Sequence, residues 1–335
     1  MRYIGGKTKI LPFLDKIISD KVKNALTFCD LFSGTGCVGR FFKNKYKIIS
    51  NDLMYFSYLI NFASIELNEA PEFKSLGFNP IDYMNDRFKA MSEKSFGGLF
   101  EREYSEVSGR LYFSLSNARR IDFARCQIDN WKKENKLENR EYLYLAACLV
   151  ESIPFVSNIS GTYGAYNKFW DKRAEKDFFV RKIDVFDNKQ KNKCFNRNAN
   201  ELIREIDGDI LYLDPPYNTR QYISNYHILE TLARWDAPEI VGKTGLRKDR
   251  NELKSEYCKK KRASKVLADL IENAQFNYIL LSYNTEGIIP VDIIEDIFSG
   301  YKNYKKFEIP YKTYKSNSKT GDRELKELIF YAEKQ

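Results

Sequence analysis

The chain has 335 residues, 43% of them apolar and 30% charged, which is enough to bury the core of one large α/β domain or of two domains. No run of 18 or more apolar residues occurs, so no transmembrane helix is expected, and MRYIGGKTKI at the start lacks the apolar stretch of an export signal, so a cytoplasmic protein is expected. The formal net charge of +9 favours an anionic partner such as nucleic acid, although a Lys-rich composition gives the same balance without any such partner.

In chain order, KTKILPFLDKIIS sets Ile10, Leu14, Ile17 and Ile18 at helical spacing. LTFCDLF (26–32) reads as a buried strand, SGTG as a glycine turn, and VGRFFKN as a helix. KIISND is a second strand ending at Asp52, and YFSYLINFASIEL another helix. This βαβα alternation predicts a parallel sheet with helices on both faces. Residues 71–110 lose periodicity, 111–152 look helical, and 154–190 form a polar, aromatic and basic stretch. Alternation resumes with the strand GDILYLD, the helix SNYHILETLARW, the strand FNYILLSY and the helix VDIIEDIFSG. KKFEIPYKTY and ELKELIFYAE close the chain as two antiparallel strands. The expected organisation is an α/β catalytic domain from 1–70 and 191–335, interrupted by a smaller insert over 71–190.

Gly34, Gly36 and Gly39 in DLFSGTGCVG follow a strand and open a helix in the GxGxxG pattern. Glycines there let the backbone approach a ligand at the carboxyl end of the strand, and Asp52 at the end of the next strand is placed to accept from ribose hydroxyls. The pattern points to an adenosine-containing cofactor without separating NAD from S-adenosyl-L-methionine; a turn that only packs a helix on a strand is the bland alternative.

The choice between cofactors rests on Asp214-Pro215-Pro216-Tyr217, at the end of the strand GDILYLD. An exocyclic amine is a poor nucleophile because its lone pair is delocalised into the ring. A carboxylate accepting one N–H and a carbonyl accepting the other draw that nitrogen toward tetrahedral geometry and aim the lone pair at an incoming methyl group. Asp214 supplies the carboxylate and Pro215 the carbonyl, whose direction the pyrrolidine ring fixes. Tyr217 offers a face for a base turned out of its duplex. The alternative is a rigid strand cap bearing a surface tyrosine.

With these residues in view, the sequence resembles the amino-methylating DNA methyltransferases, specifically the Dam-like (α-group) adenine enzymes of bacterial restriction–modification systems, over nearly its whole length. RYIGGK (2–7) resembles motif X, DLFSGTG motif I, Asn51-Asp52 motif II, DPPY motif IV, LLSYNTEG (280–287) motif VI and FEIPYKTY motif VIII. The resemblance implies a Rossmann-like fold and S-adenosyl-L-methionine as methyl donor, with S-adenosyl-L-homocysteine as product and no metal. It implies cofactor contacts from Tyr3, Gly5, Gly6 and Lys7, from Asp30, Phe32, Ser33, Gly34, Thr35 and Gly36, and from Asp52 and Asp214. It implies that Asp214 orients the target amine and that Tyr217 stacks on the base. It also implies double-stranded DNA as substrate, a target recognition region within the insert, a cognate restriction endonuclease acting separately, and no required oligomer. One departure is Asn198, where the family often carries an Asp that accepts from the cofactor adenine; an amide oxygen accepts the same bond without charge assistance.

Two stretches are candidates for DNA contact. Residues 243–265 hold ten Lys or Arg against three acids, with Lys243, Arg247 and Lys248 leading the run, which suits phosphate contact or a solvated helix face. SNISGTYGAYNKFWDKR offers Tyr163, Asn167 and Lys168, and reads equally as a packed hairpin. The single histidine, His227, sits on an amphipathic helix and is expected to be structural or near DNA. The six cysteines form no CxxC pair, so a zinc site is not expected. Cytosine-N4 methylation is the nearest rival, with the same geometry but usually Ser at the head of the tetrad. A DNA-binding module with lost catalysis is the rival of another class. Cytosine-C5 chemistry fits poorly, since no Pro-Cys pair is present.

Overall fold

The computed structural model describes residues 6–91, 97–310 and 326–334. In chain order its strands are β1 (Thr27–Asp30), β2 (Lys47–Asn51), β3 (Lys193–Phe195), β4 (Asp207–Leu213), β5 (Ile240–Val241), β6 (Leu246–Arg247), β7 (Gln275–Asn284), β8 (Lys302–Pro310) and β9 (Lys326–Glu333). Its α-helices are α1 (Leu11–Lys21), α2 (Cys37–Phe42), α3 (Tyr55–Asn61), α4 (Pro80–Lys89), α5 (Leu99–Glu103), α6 (Leu115–Lys133), α7 (Asn139–Ser152), α8 (Ala199–Leu202), α9 (Tyr222–Arg234), α10 (Ala263–Asn273) and α11 (Val291–Ser299). The chain divides into two compact units. One comprises Lys7–Leu53, Gln190–Gln221 and Lys254–Gln335; the other is formed mainly by Met54–Lys189 and Tyr222–Leu253.

The first unit holds a seven-stranded sheet of order β3-β2-β1-β4-β7-β9-β8. The β3-β2, β2-β1, β1-β4 and β4-β7 pairs are parallel, and β9 runs antiparallel to both β7 and β8. This is the mixed, mostly parallel sheet of a Rossmann-like methyltransferase fold. The parallel strands read as near-continuous apolar runs because both faces are covered. On one face Cys29, Leu211, Leu213, Ile279, Leu281, Leu328 and Phe330 pack with Leu202 of α8, Leu267 and Leu270 of α10, and Ile294 and Phe298 of α11. On the other, Phe28 of β1 stacks on Phe42 of α2 at 4.6 Å and lies 6.1 Å from Tyr212 of β4. Each fully buried side chain of this size is worth roughly 1.5–3 kcal/mol of apolar transfer. Lys334, just past β9, donates to the carbonyls of Ile271, Glu272 and Ala274 and closes the C-terminal end of α10.

Among the described residues, the regular elements of the second unit are helices and the β5-β6 hairpin, and residues 156–189 form an irregular stretch. Its helices start where the sequence carries caps. Asn79 accepts from the Ile81 and Asp82 amides ahead of α4, Ser114 caps α6, and Glu138 with Glu141 forms a capping box on α7. The buried Glu230 of α9 accepts from the Tyr55 and Phe56 amides at 3.1 Å each, setting a carboxylate at the positive end of α3. Several elements escaped the periodicity reading, among them α5, α8, α10, β5 and β6 as well as β3 and α4. β3 is three residues long, and α4 lies in the stretch that looked aperiodic; α4 buries only Pro80, Ile81, Met84 and Phe88 along a polar helix.

Candidate active site

The carboxyl ends of β1, β2 and β4 bring the motif residues of the sheet unit together. β1 ends at Asp30, and the chain turns through Leu31–Thr35 to Gly36, whose φ of 74° lies in the left-handed region that glycine enters without a Cβ penalty. Ser33 donates its amide and its hydroxyl to the Asn51 carbonyl, both at 2.9 Å, and the Gly34 amide donates to Asp52 Oδ2 at 2.8 Å. The glycine turn is thereby tied to the end of β2. Asp52 shapes the turn with one carboxylate oxygen. Phe32 packs edge-on against Tyr257 at 5.0 Å.

Asp30 is 1% exposed. Its Oδ2 accepts from the Gly39 amide at 3.2 Å, while Oδ1 has no hydrogen-bond partner among the described residues. Burial pushes its carboxyl up to about 8, with the charges of Asp214 and Asp52 adding to the shift and the Gly39 amide opposing it. A buried carboxylate with an unpaired oxygen is costly unless something cationic or protic meets it.

β4 delivers Asp214 directly after Leu213, and Pro215 behind it is buried. The corner is braced. The Ile288 amide donates to the Tyr217 carbonyl at 2.9 Å, and the Gln221 side chain exchanges two hydrogen bonds with the Ser255 backbone. Asp214 Oδ1 lies 3.1 Å from Lys7 Nζ, an ion-pair contact rather than an aligned hydrogen bond. The same ammonium pairs with Glu327 and lies 6.0 Å from the Tyr217 ring centroid. Burial pushes Asp214 up to about 6; Lys7 opposes that shift and Glu327 adds to it. Burial alone would lower the Lys7 ammonium, but the two carboxylates hold it well above the ordinary lysine range. Such a set can hold a cationic ligand against Asp30 and present an ionised Asp214 to a hydrogen-bond donor.

The remaining expected residues fall out unevenly. Tyr3 and Gly5 of RYIGGK, and residues 311–314 of FEIPYKTY, lie outside the described residues; Gly6 is exposed. Asn198 is exposed and caps α8, its Oδ1 accepting from the Asn200 amide at 2.9 Å, so its acceptor is already engaged locally. Glu327 and Ser282, whose hydroxyl donates to Glu327 at 2.7 Å, were not anticipated. Nothing local marks Glu327 among the acids of RELKELIFYAE.

All six candidate DNA contacts fall in the helical unit. Lys168, Lys243 and Lys248 are exposed, Lys248 with Glu239 at 2.6 Å. Asn167 is half-buried, its amide bonded to the Asn158 carbonyl. Two expectations need correcting. Arg247 is 1% exposed, its guanidinium clasped by Asp236 and Asp249 at 2.6–3.0 Å, so its charge is spent inside the fold rather than offered to phosphate. Tyr163 is 2% exposed, with its hydroxyl 2.8 Å from Ser157 and its amide on the Asn225 carbonyl. His227 is structural: burial lowers it to about 4, leaving a neutral ring whose Nε2 meets the Thr244 carbonyl at 2.9 Å. With Tyr104, Tyr112 and Arg110, which donate to Gly245, Thr244 and Gly242, it pins the turn that exposes Lys243.

Comparison with known proteins places the chain in a family. The chain is 46% identical over 344 aligned residues to the type II methyltransferase M.FokI of Planomicrobium okeanokoites, covering all of this chain and 53% of that protein. It is 40% identical to the modification methylase StsI of Streptococcus sanguinis, covering 52% of it, so the chain spans about half the length of these two relatives. To the type II methyltransferase M.NlaIII of Neisseria lactamica it is 37% identical over 97% of this chain and 96% of that one. The family profile described as D12 class N6 adenine-specific DNA methyltransferase matches residues 3–297. The chain therefore belongs to the D12 class of N6 adenine-specific DNA methyltransferases.

Proposed function

We propose that the chain transfers a methyl group from S-adenosyl-L-methionine to the N6 amine of an adenine in double-stranded DNA, as the modification enzyme of a type II restriction–modification system. The observation that carries this reading is Asp214-Pro215-Pro216-Tyr217 on a braced corner at the end of β4, in the same sheet unit as the glycine turn. When bound, S-adenosyl-L-methionine supplies an electrophilic methyl on a sulfonium. The residues present fit such a ligand: the buried Oδ1 of Asp30, without a hydrogen-bond partner among the described residues, suits its ammonium, and Asp52 its ribose. Asp214 accepts one N–H of the target amine and the Pro215 carbonyl the other, which returns the lone pair to nitrogen. Asp214 accepts in its ionised form and takes no proton before attack; on transfer the donor would leave as S-adenosyl-L-homocysteine, and the surplus proton of the methylated amine would pass to Asp214 or to water. Tyr217 stacks on the extruded base. The insert over 71–190 is assigned to target recognition, and Lys168, Lys243 and Lys248 to phosphate contact.

The test is to incubate the protein with unmethylated DNA and labelled cofactor, digest to nucleosides and map the modified positions. N6-methyladenine at one recurring motif is expected. Label in N4-methylcytosine would replace the base and keep the mechanism. Cofactor binding without any label would favour a binding module that no longer turns over.

A further inference from the structure

Methyl transfer by the route above needs one carboxylate, yet a second is buried beside it. Glu327, at the start of β9, has a side chain 10% exposed, and it shares the Lys7 ammonium with Asp214. Ser282 of β7 pairs with Ile329, which makes Glu327 its diagonal neighbour on the same face, and the Ser282 hydroxyl donates to it at 2.7 Å. Burying a carboxylate costs several kcal/mol before pairing, so Glu327 is an expensive residue to keep as filler.

We propose that Glu327 is a positioning residue for methyl transfer: by competing for Lys7 it keeps that ammonium from neutralising Asp214, so that Asp214 stays able to accept from the target amine. The proposal rests on the methyltransferase reading. Lys7 alone would form a complete pair with Asp214, drawing down its basicity and occupying its lone pairs. Without Lys7, burial and the neighbouring acids would drive Asp214 toward its neutral form. The charged and titratable groups that act on Asp214 are Lys7 from the segment before α1, Glu327 from β9, Asp30 from β1, which also feels Asp52, and Tyr212 on its own strand.

The two partners therefore push in opposite directions, and a positioning role, unlike a merely structural one, requires kcat to follow the Asp214 midpoint. The test follows the Asp214 carboxylate by 13C NMR of labelled aspartate, assigned by difference from Asp214→Asn, alongside the pH profile of kcat. Glu327→Gln should lower the Asp214 midpoint, and Lys7→Met should raise it, each by about 0.5 pH unit or more, while Glu327→Asp stays near wild type. The acid limb of kcat should move with the midpoint. Glu327→Gln should also lower plateau kcat by about tenfold with KM for S-adenosyl-L-methionine within about twofold. Thermal melting reports folding. Should Glu327→Gln not fold, Lys7→Met and Glu327→Asp still read the sign and the rescue. Midpoints that stay put, or that move together, overturn the proposal. A wild-type protein that methylates no base overturns the methyltransferase reading and this proposal with it, whereas methylation that persists in wild type while the midpoints stay put overturns this proposal alone.

Discussion

Asp214 is where single-residue chemistry is most exposed to test. Asp214→Asn keeps the shape and loses the charge, so it should lower turnover by at least about 1,000-fold while S-adenosyl-L-methionine binding, measured by calorimetry, stays within about tenfold. Because Asp214 sits at about 6 and must be ionised, kcat should fall on acidification with a midpoint near that value. Tyr217→Ala should weaken base positioning by roughly 1–3 kcal/mol, read as a loss of flipped-base fluorescence with 2-aminopurine at the target, and Tyr217→Phe should restore most of it. An unchanged signal in the alanine variant would remove the stacking role. The tetrad and the glycine turn were legible in the sequence because each needs rare residues in a fixed local order. The Lys7–Glu327 pair was not, since its members are 320 positions apart and meet only through the sheet.

At the scale of elements, the β5-β6 hairpin separates two basic residues that composition treats alike. Arg247 ends β6 inside a clasp of two half-exposed carboxylates, so Arg247→Ala should cost about 1–2 kcal/mol of stability in denaturant unfolding. Lys243, exposed on the pinned turn, should leave stability unchanged when replaced by Ala and reduce the salt dependence of DNA affinity by about one counterion. The reverse pattern would return Arg247 to the DNA surface. At the N-cap of α5, a Cβ added to Gly98 would lie 2.2 Å from the Asp122 carboxylate that accepts from the Phe100 and Glu101 amides. Gly98→Ala should therefore lower Tm by several degrees, about 5 °C on melting. Long helices such as α7 and strands such as β7 were readable from apolar periodicity. The short β3 and the polar α4 were not, because three residues carry no period and a cap such as Asn79 is a weaker signal than a buried face.

Over the whole molecule, stability and charge carry pH and salt dependence. Asp30 and Asp214 both titrate above the ordinary carboxylate value of 3.8, at about 8 and about 6, so the folded state holds protons that the unfolded chain has released. Their contribution is complete below about pH 4 and is lost as pH rises through those values, so the ligand-free protein should lose stability between roughly pH 4 and 8. Asp30→Asn should flatten that slope, and melting curves across the range decide it; a slope unchanged by Asp30→Asn would mean that Asp30 titrates elsewhere. The net charge of +9 suits an electrostatic, salt-sensitive association with DNA.

The sequence by itself determined the class of chemistry: a strand, a glycine turn and an Asp-Pro-Pro-Tyr corner are local arrangements whose residues dictate backbone geometry wherever they occur. It also determined the alternation that builds the parallel sheet, because apolar periodicity records which faces are covered. Only the tertiary structure decided which charges are available. Lys7, Arg247, Asp30 and Glu327 are ordinary ionised residues in the sequence. Burial and long-range pairing spend the charge of Arg247 inside the fold, raise the carboxyls of Asp30 and Asp214, and join Lys7 to two acids. Desolvation and Coulomb interaction depend on distance in space, and distance along the chain does not report it.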